Sequence, residues 1–254
     1  MPYLALEGVN YFYGGSTGKE GAAVVFCHGS GGSHRHWHNQ LRGLSGKFNT
    51  LAVDLPGHGS SGGEPKTDIG AYSAFLHRFI RELGLEQVYL AGHSMGGAVA
   101  LDYALNRPAD LLGLILVGAG GRLRVAPAIM DVLRSGKELT DMASYAYGPK
   151  ATPDMLEQGS REMEAIPPAV YLADFTACDN FDIMDLLPRI EIPVLIICGS
   201  EDRLTPVKYS RYLLEKLPTS ELEEIEGAGH MVMLEEPDKV TRAIDIFLER
   251  TLER

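Results

Sequence analysis

The sequence predicts an α/β protein with a doubly wound, mostly parallel sheet and a helical insertion. Short runs of β-branched and aliphatic residues recur along the chain, and helical patterns lie between them. This alternation stops between about residues 121 and 188. Continuous apolar runs are typical of strands that are covered on both faces, as in a parallel sheet. Alternating strands and helices with right-handed crossovers give the doubly wound arrangement.

Six apolar runs predict the strands of the sheet. They span approximately residues 23–27, 50–54, 87–91, 112–117, 193–198 and 221–226. The last of them is short and acidic, which is typical of a strand at an exposed sheet edge. The N-terminal segment LALEGVNYFYGG predicts an antiparallel hairpin at one edge of the sheet.

Amphipathic spacing predicts the helices that cover the sheet. Residues 68–83 place their apolar side chains on one face, and Gly84 follows as a C-terminal cap. A later helix is predicted to start at Pro206, with Thr205 as its N-cap. The final helix is predicted to begin near Pro237.

Residues 121–187, between the fourth and fifth of these runs, carry five prolines and helix-prone segments, but no β pattern. This composition predicts a helical cap at residues 121–187, inserted into a core formed by residues 1–120 and 188–254. Methionines of the cap either line an apolar pocket or pack its interior, and the sequence leaves both alternatives open. They are Met130, Met142, Met155 and Met163.

Composition excludes several classes of protein. The formal net charge of −11 and the lack of a Lys/Arg stripe argue against binding to nucleic acid. No run approaches the roughly 18 apolar residues of a membrane span, and the N-terminus lacks a signal-peptide pattern. The three cysteines are few and widely separated, which predicts free thiols and a cytoplasmic location. The oligomeric state is not predictable from the sequence.

The sharpest motif is Gly-His-Ser-Met-Gly-Gly at residues 92–97, between a predicted strand and a predicted helix. A serine on such a tight turn needs small neighbours, because the backbone is strained and closely packed. The turn directs the Ser94 hydroxyl out of the carboxyl edge of the sheet. It also places the Met95 N–H at a helix N-terminus, where an oxyanion is stabilised. Ser94 is therefore predicted to be a nucleophile.

A serine nucleophile needs a base and an acid that orients the base, and the chain supplies both after Ser94, first the acid and then the histidine. Asp202 comes after the strand at 193–198, and His230 comes after the last strand. Both residues therefore fall at the sheet edge that presents Ser94. Glu201 and Asp179 remain alternatives to Asp202 as the acid that orients the histidine.

The first long strand ends in a glycine-rich turn, Cys-His-Gly-Ser-Gly-Gly-Ser at residues 27–33. Such a turn lets backbone amides approach a substrate and supply the second oxyanion donor. The Ser30 N–H is the first choice for this donor, with Gly31 as the alternative. His28 is expected to brace the loop. The alternating histidines at positions 34, 36 and 38 splay around a helix start, so no metal site is expected there.

These motifs together resemble the α/β-hydrolase superfamily, specifically its small capped branch of serine esterases. The resemblance rests on HGSGGS, DLPGHGSS, GHSMGG, GSEDRLTP and GAGHMVMLEEP in this order. It covers residues 20–120 and 188–250. It implies the α/β-hydrolase fold and an architectural role for Asp54 and His58 in the turn after the fourth strand. Related dehalogenases and epoxide hydrolases carry Asp at the nucleophile position, so Ser94 argues against both activities.

The predicted function is hydrolysis of carboxylic esters of small to medium apolar substrates through an acyl-enzyme, without metal or cofactor. Relatives with this architecture also hydrolyse C–C bonds, lactones or thioesters, or act as lyases in menaquinone synthesis, and fold and triad do not separate these reactions. Arg122 and Arg124 near the cap keep the lyase open, because its substrates carry carboxylates. A ligand-binding signalling protein with slow turnover is the remaining alternative.

Overall fold

The structure, a computed structural model, describes residues 2–19 and 21–253 and is built around one eight-stranded sheet. The strand order is β1-β2-β4-β3-β5-β6-β7-β8. Strands β3 to β8 run parallel, whereas β2 is antiparallel to both of its neighbours. The strands are β1 Tyr3–Leu6, β2 Val9–Ser16, β3 Ala23–Cys27, β4 Asn49–Val53, β5 Val88–His93, β6 Leu111–Val117, β7 Val194–Gly199 and β8 Ser220–Ile225.

Ten α-helices accompany the sheet within the described residues. They are α1 His38–Leu44, α2 Ile69–Glu82, α3 Met95–Asn106, α4 Pro127–Arg134, α5 Met142–Ala146, α6 Pro153–Glu164, α7 Pro168–Asp179, α8 Val207–Lys216, α9 Val232–Glu235 and α10 Pro237–Leu252. Helices α2, α3 and α8 contribute to the apolar cluster on one face of the sheet, whereas α1 and α10 contribute to the cluster on the other.

The central strands are buried along their whole length, which explains why their apolar runs are continuous. Every residue of β3, β4 and β5 is buried. Consecutive residues such as Val24 and Val25 pack into opposite clusters, because strand side chains alternate between the two faces. The predicted α/β fold with a mostly parallel, doubly wound sheet is therefore confirmed.

Both predicted edges of the sheet are confirmed. Strands β1 and β2 form the expected antiparallel hairpin, which turns at Glu7 and Gly8, two residues with positive φ. The short acidic strand β8 lies at the opposite edge. All three cysteines are buried free thiols.

The predicted start of α8 is wrong. The helix begins at Val207, and Pro206 rather than Thr205 stands at its N-cap position. The Thr205 hydroxyl instead lies 2.8 Å from the Gly118 carbonyl oxygen and 2.7 Å from Asp202 Oδ2. These two oxygen atoms hold the threonine hydroxyl in the loop after β7, so it does not cap the helix.

Helices α4 to α7 all lie between β6 and β7, in the stretch where the strand pattern stops. An isolated antiparallel bridge joins Arg122 to Asp182 at the two ends of this insertion. The division into a core and a cap at residues 121–187 stays a prediction, and its outer limits, residues 1 and 254, lie outside the described residues.

Candidate active site

Ser94 is a single residue between β5 and α3, with a backbone that is unusual for a serine. Its φ of 52° and ψ of −116° lie outside the regions that residues with a side chain normally occupy. The neighbouring strand and helix hold this conformation. The Ser94 N–H donates to the Val117 carbonyl (2.9 Å), and the Ser94 carbonyl accepts from the Gly97 N–H (2.9 Å). Such strained residues persist only where the surrounding structure fixes them, and they cluster at functional sites.

Glycines on either side of Ser94 allow this turn to form. A Cβ atom on Gly92 would lie 2.1 Å from the Gly96 carbonyl oxygen, and one on Gly96 would lie 2.4 Å from the Cys27 oxygen. Real Cβ atoms do not approach backbone oxygens so closely. The GxSxG spacing is therefore a packing requirement of this turn, as the sequence predicted.

Asp202 and His230 meet at the same edge of the sheet, in the loops that follow β7 and β8. The distance between His230 Nδ1 and Asp202 Oδ2 is 2.8 Å, and both side chains are buried. A carboxylate only accepts hydrogen bonds, so Nδ1 is the protonated nitrogen and Nε2 remains free to accept a proton. The other carboxylate oxygen, Oδ1, accepts the N–H groups of Leu204 (2.9 Å) and Thr205 (2.8 Å).

These contacts keep Asp202 ionised. Burial alone raises the pKa of a carboxyl group, but the His230 imidazole and the hydrogen bonds from Thr205 outweigh burial and lower the pKa of Asp202. Neither alternative acid is placed beside His230. Glu201 is exposed, and the carboxylate of Asp179 accepts the Val125 N–H at 3.1 Å.

Ser94 and His230 line one cavity of about 390 Å³. Among the described residues, no hydrogen bond joins the Ser94 hydroxyl to the imidazole, whereas the imidazole is joined to Asp202. Catalytic hydrogen bonds are often long without substrate and tighten when it binds. The insertion supplies the apolar wall of the cavity with Met142, Tyr147, Met163, Tyr171 and Phe175.

The methionines of the insertion divide between the two predicted roles. Met142 and Met163 line the cavity, and Met130 is buried. Met155 and Met163 both pack against the apolar cluster to which α1 and α10 contribute. The same wall carries Arg161 and Glu162 near its rim, and Arg35 comes from the core side.

The glycine-rich loop after β3 lies beside the nucleophile. The Gly31 N–H donates to Asp174 Oδ2 at 2.8 Å, so the alternative oxyanion donor already has an acceptor. Among the described residues, the Ser30 N–H has none. Met95 is the first residue of α3, and its N–H is one of the amides that lack an acceptor within the helix.

Two further buried histidines hold the loops of the site in place, and both are neutral. The Leu55 N–H donates to His28 Nε2 (3.1 Å), and His28 Nδ1 lies 2.8 Å from the Gly29 carbonyl, so His28 braces the loop as predicted. Burial lowers its pKa to about 3. His93 Nε2 lies 3.0 Å from the His230 carbonyl, and burial lowers the pKa of His93 well below its usual value. No sequence pattern predicts this support of His230.

Comparison with known proteins agrees with this geometry. Residues 24–243 match the model of the alpha/beta hydrolase family. The chain belongs to this family.

Its relatives include several kinds of hydrolase. A putative carbamate hydrolase RutD of Agrobacterium fabrum is 30% identical over 92% of this chain and 95% of the relative. A 2-hydroxy-6-oxononadienedioate/2-hydroxy-6-oxononatrienedioate hydrolase of a Pseudomonas species is 27% identical over 92% of this chain and 90% of its own. The structure of a thermophilic esterase superposes with a TM-score of 0.84 at 31% identity, covering 98% and 97% of the two chains. Hydrolase activity is what the names of these three proteins share.

In this alpha/beta hydrolase the arginines considered for carboxylate binding lie elsewhere. Arg122 and Arg124 are about half exposed, and both pair with Asp182 at the base of the insertion. Neither lines the cavity that Ser94 and His230 share. The two arginines therefore lie at the base of the insertion but do not face this cavity, so they give no support to a lyase.

Within residues 2–19 and 21–253 of this hydrolase, no three His, Cys, Asp or Glu side chains are arranged to hold a metal ion. His34 instead pairs with Asp54 at 2.8 Å, and His38 contacts the Arg35 carbonyl. Over the same residues, no helix combines the length and apolar character needed to cross a bilayer.

His58, in the turn after β4, forms a buried pair with Asp174 of α7. His58 Nε2 lies 2.8 Å from Asp174 Oδ2, and His58 Nδ1 lies 3.0 Å from the Pro56 carbonyl. Both ring nitrogens face acceptors, so the doubly protonated imidazolium satisfies the site best. Burial disfavours that charge, but Asp174 outweighs burial and raises the pKa of His58. Asp54 lies in the same turn, and its carboxylate accepts the Ser60 N–H, which agrees with an architectural role.

Replacing His58 with Gln is expected to destabilise the protein in a pH-dependent way. Because the pKa of His58 is raised in the folded state, its contribution to stability is fully present below the unfolded value of about 6.5. It is lost as the pH rises through the folded pKa. The ring also faces His28 and Tyr72, whose pKa values burial shifts away from neutrality, so neither changes charge in this window.

The measurement is the Tm difference between wild type and His58→Gln from pH 5.5 to pH 9.5. We expect the deficit to be largest at the acidic end and to shrink towards the alkaline end. The exposed His38→Gln serves as the control. A deficit that stays constant across the range would show that His58 stabilises the fold by packing and not by charge.

Proposed function

We propose that the protein is a serine hydrolase that cleaves carboxylic esters of small to medium apolar substrates through an acyl-enzyme. The observation that carries this proposal is the strained Ser94 in the same cavity as His230, whose Nδ1 is bound to buried Asp202. This arrangement supports a nucleophile, a base and a residue that orients the base. The family supports hydrolysis in general, and the similarity to an esterase supports esters as substrates.

In the proposed mechanism, His230 Nε2 takes the proton of Ser94 as its hydroxyl oxygen attacks the carbonyl carbon of the ester. The imidazolium that forms is stabilised by the carboxylate of Asp202. It then donates its proton to the departing alkoxide, which leaves as the alcohol. Water, deprotonated by the same nitrogen, attacks the acyl carbon of the acyl-enzyme. As the bond from that carbon to the Ser94 oxygen breaks, His230 returns the proton to Ser94, and the carboxylic acid is released.

The negative charge of each tetrahedral intermediate needs two donors. We assign them to the N–H groups of Ser30 and Met95. The acceptor-free Ser30 amide and the position of Met95 at the start of α3 support this assignment. No residue of this scheme requires a metal or an organic cofactor.

The helices between β6 and β7 act in this proposal as a cap over the acyl pocket. Their contribution of methionine and aromatic side chains favours apolar acyl or alcohol groups. A cavity of about 390 Å³ suits a small to medium substrate, because ligand sites range from about 300 to 1,000 Å³.

A panel of p-nitrophenyl esters tests the proposal. Acetate, butyrate and octanoate define the acyl preference, and an N-methylcarbamate is included because one relative is named a putative carbamate hydrolase. We expect the butyrate to be turned over and Ser94→Ala to lose about 10⁶-fold in kcat. Ser135→Ala, an exposed serine outside the cavity, is the matched control.

Two results would contradict the esterase. A folded wild type that turns over none of the three esters removes the ester assignment, and turnover of the carbamate alone then favours carbamate hydrolysis. Ester turnover that survives in Ser94→Ala removes Ser94 as the nucleophile.

A further inference from the structure

Asp174 is a charged residue inside the protein that the proposed chemistry does not use. It lies on α7, in the insertion, and its side chain is completely buried. A buried carboxylate is costly unless donors surround it. Asp174 has three of them, and all come from outside the insertion, from three different parts of the sheet-bearing core.

Each donor ties α7 to a different element. Tyr72 of α2 donates its hydroxyl to Oδ1 at 2.6 Å. His58 of the turn after β4 donates from Nε2 to Oδ2 at 2.8 Å. The Gly31 N–H of the loop after β3 donates to the same oxygen at 2.8 Å. The last contact is to the residue directly after Ser30, whose N–H is our assigned oxyanion donor.

The loop and α7 are in close contact at this point. Gly31 has a φ of 63°, and a Cβ atom on it would lie 2.5 Å from the ring of Tyr171, which is one turn before Asp174 on α7. The Gly32 N–H closes the loop on the Gly29 carbonyl at 3.0 Å. Asp174 and Tyr171 thus hold the peptide that joins Ser30 to Gly31 from the insertion side.

We infer that Asp174 is a positioning residue for ester hydrolysis, which anchors the Gly31 amide so that the adjacent Ser30 N–H stays directed at the oxyanion. The inference rests on the proposed function. The contact between Asp174 and Gly31 has a structural consequence. When α7 packs against the core, the same contact completes the oxyanion site. Asp174 touches no substrate atom in this scheme. It acts through the loop, and therefore on the tetrahedral intermediate more than on the bound ester.

Two substitutions weaken the contact between Asp174 and the Gly31 N–H to different extents. Asp174→Asn keeps the shape and one oxygen acceptor but loses the charge, whereas Asp174→Ala removes the acceptor altogether. Removing one oxyanion donor costs about 10²–10³-fold in kcat. We therefore expect kcat for p-nitrophenyl butyrate to fall about 10²-fold in Asp174→Ala and about 10-fold in Asp174→Asn. KM should stay within about twofold, because the ester itself is bound elsewhere.

A trifluoromethyl ketone separates positioning from a general loss of structure. Attack by Ser94 on such a ketone gives a tetrahedral oxyanion that mimics the intermediate. Its inhibition constant should rise by the same factor as kcat falls in each variant.

Tyr72→Phe removes a different hydrogen bond of the same carboxylate, so it should lower Tm while kcat and the inhibition constant remain within about threefold. Asp179→Asn, on the same helix, is the matched control, since its carboxylate accepts a backbone N–H outside the loop.

The outcomes distinguish this inference from the proposed function. Parallel changes in kcat and inhibition by the ketone, in whichever of the two variants folds, support the anchor. The anchor is overturned if a folded variant keeps both values within twofold of wild type, or if the whole loss lies in KM. Failure of the ketone to inhibit the wild type would instead count against Ser94 as the nucleophile.

Discussion

Replacing Asp202 with Asn is expected to lower kcat for p-nitrophenyl butyrate by about 10⁴-fold while leaving the fold intact. The carboxylate makes different hydrogen bonds at its two oxygens. Oδ1 accepts two backbone N–H groups, from Leu204 and Thr205, and Oδ2 accepts from His230 Nδ1. An asparagine must keep its oxygen on the two N–H groups, so its NH₂ is placed against the imidazole.

This orientation reverses the tautomer of His230. Facing a donor, Nδ1 becomes the unprotonated nitrogen, and the proton moves to Nε2, which then cannot accept the proton of Ser94. The rate loss should therefore appear in kcat with little change in KM. Glu201→Gln, the same chemical change at the exposed neighbouring position, is the control and should remain within about twofold of wild type. A loss smaller than tenfold in Asp202→Asn would mean that the acid does not set the tautomer.

The sheet and the main candidate residues were predictable because each depends on a short stretch of sequence. Strands that are buried on both faces need continuous apolar runs, and β3, β4 and β5 have them. The carboxyl ends of parallel strands meet at one edge, so the loops containing Asp202 and His230 had to lie near Ser94. The structure places these two residues at hydrogen-bonding distance, in agreement with that expectation.

The prediction failed where one side-chain group has a choice between two sets of hydrogen-bond partners. A threonine before a proline and an amphipathic segment indicates an N-cap, but the hydroxyl of Thr205 is held by the Gly118 carbonyl and Asp202. One of these two partners, Gly118, lies 87 residues away in the sequence. Local pattern carries no information about such a partner.

Asp174 was missed for the same reason. In the sequence it is one acidic residue in the segment PAVYLADFTACD, and a helical carboxylate is normally solvated. Its donors are separated from it by 102, 116 and 143 residues. The resemblance had singled out His58, and the loop motif had singled out Gly31. These two residues do not reveal, from sequence alone, which helix supplies the carboxylate that binds them.

Replacing Gly96 with Ala is expected to destabilise the protein strongly, although it adds only one methyl group. Two effects oppose each other. Alanine is favoured over glycine within a helix by about 1 kcal/mol, and Gly96 lies in the first turn of α3. Against this, the new Cβ would lie 2.4 Å from the Cys27 oxygen and 2.6 Å from the His28 oxygen. Both are backbone atoms at the end of a central strand, so the clash is relieved only if β3 or α3 moves.

The clash is expected to dominate. A net loss of about 3 kcal/mol lowers the Tm of a chain of this size by roughly 6–12 °C. Gly46→Ala is the matched control, because a Cβ there meets no atom within 4 Å and the residue has no positive φ. Thermal unfolding of the two variants measures the difference. A Tm of Gly96→Ala within 2 °C of that of Gly46→Ala would mean that α3 shifts freely against β3, and the strained backbone of Ser94 could then not be maintained by this packing.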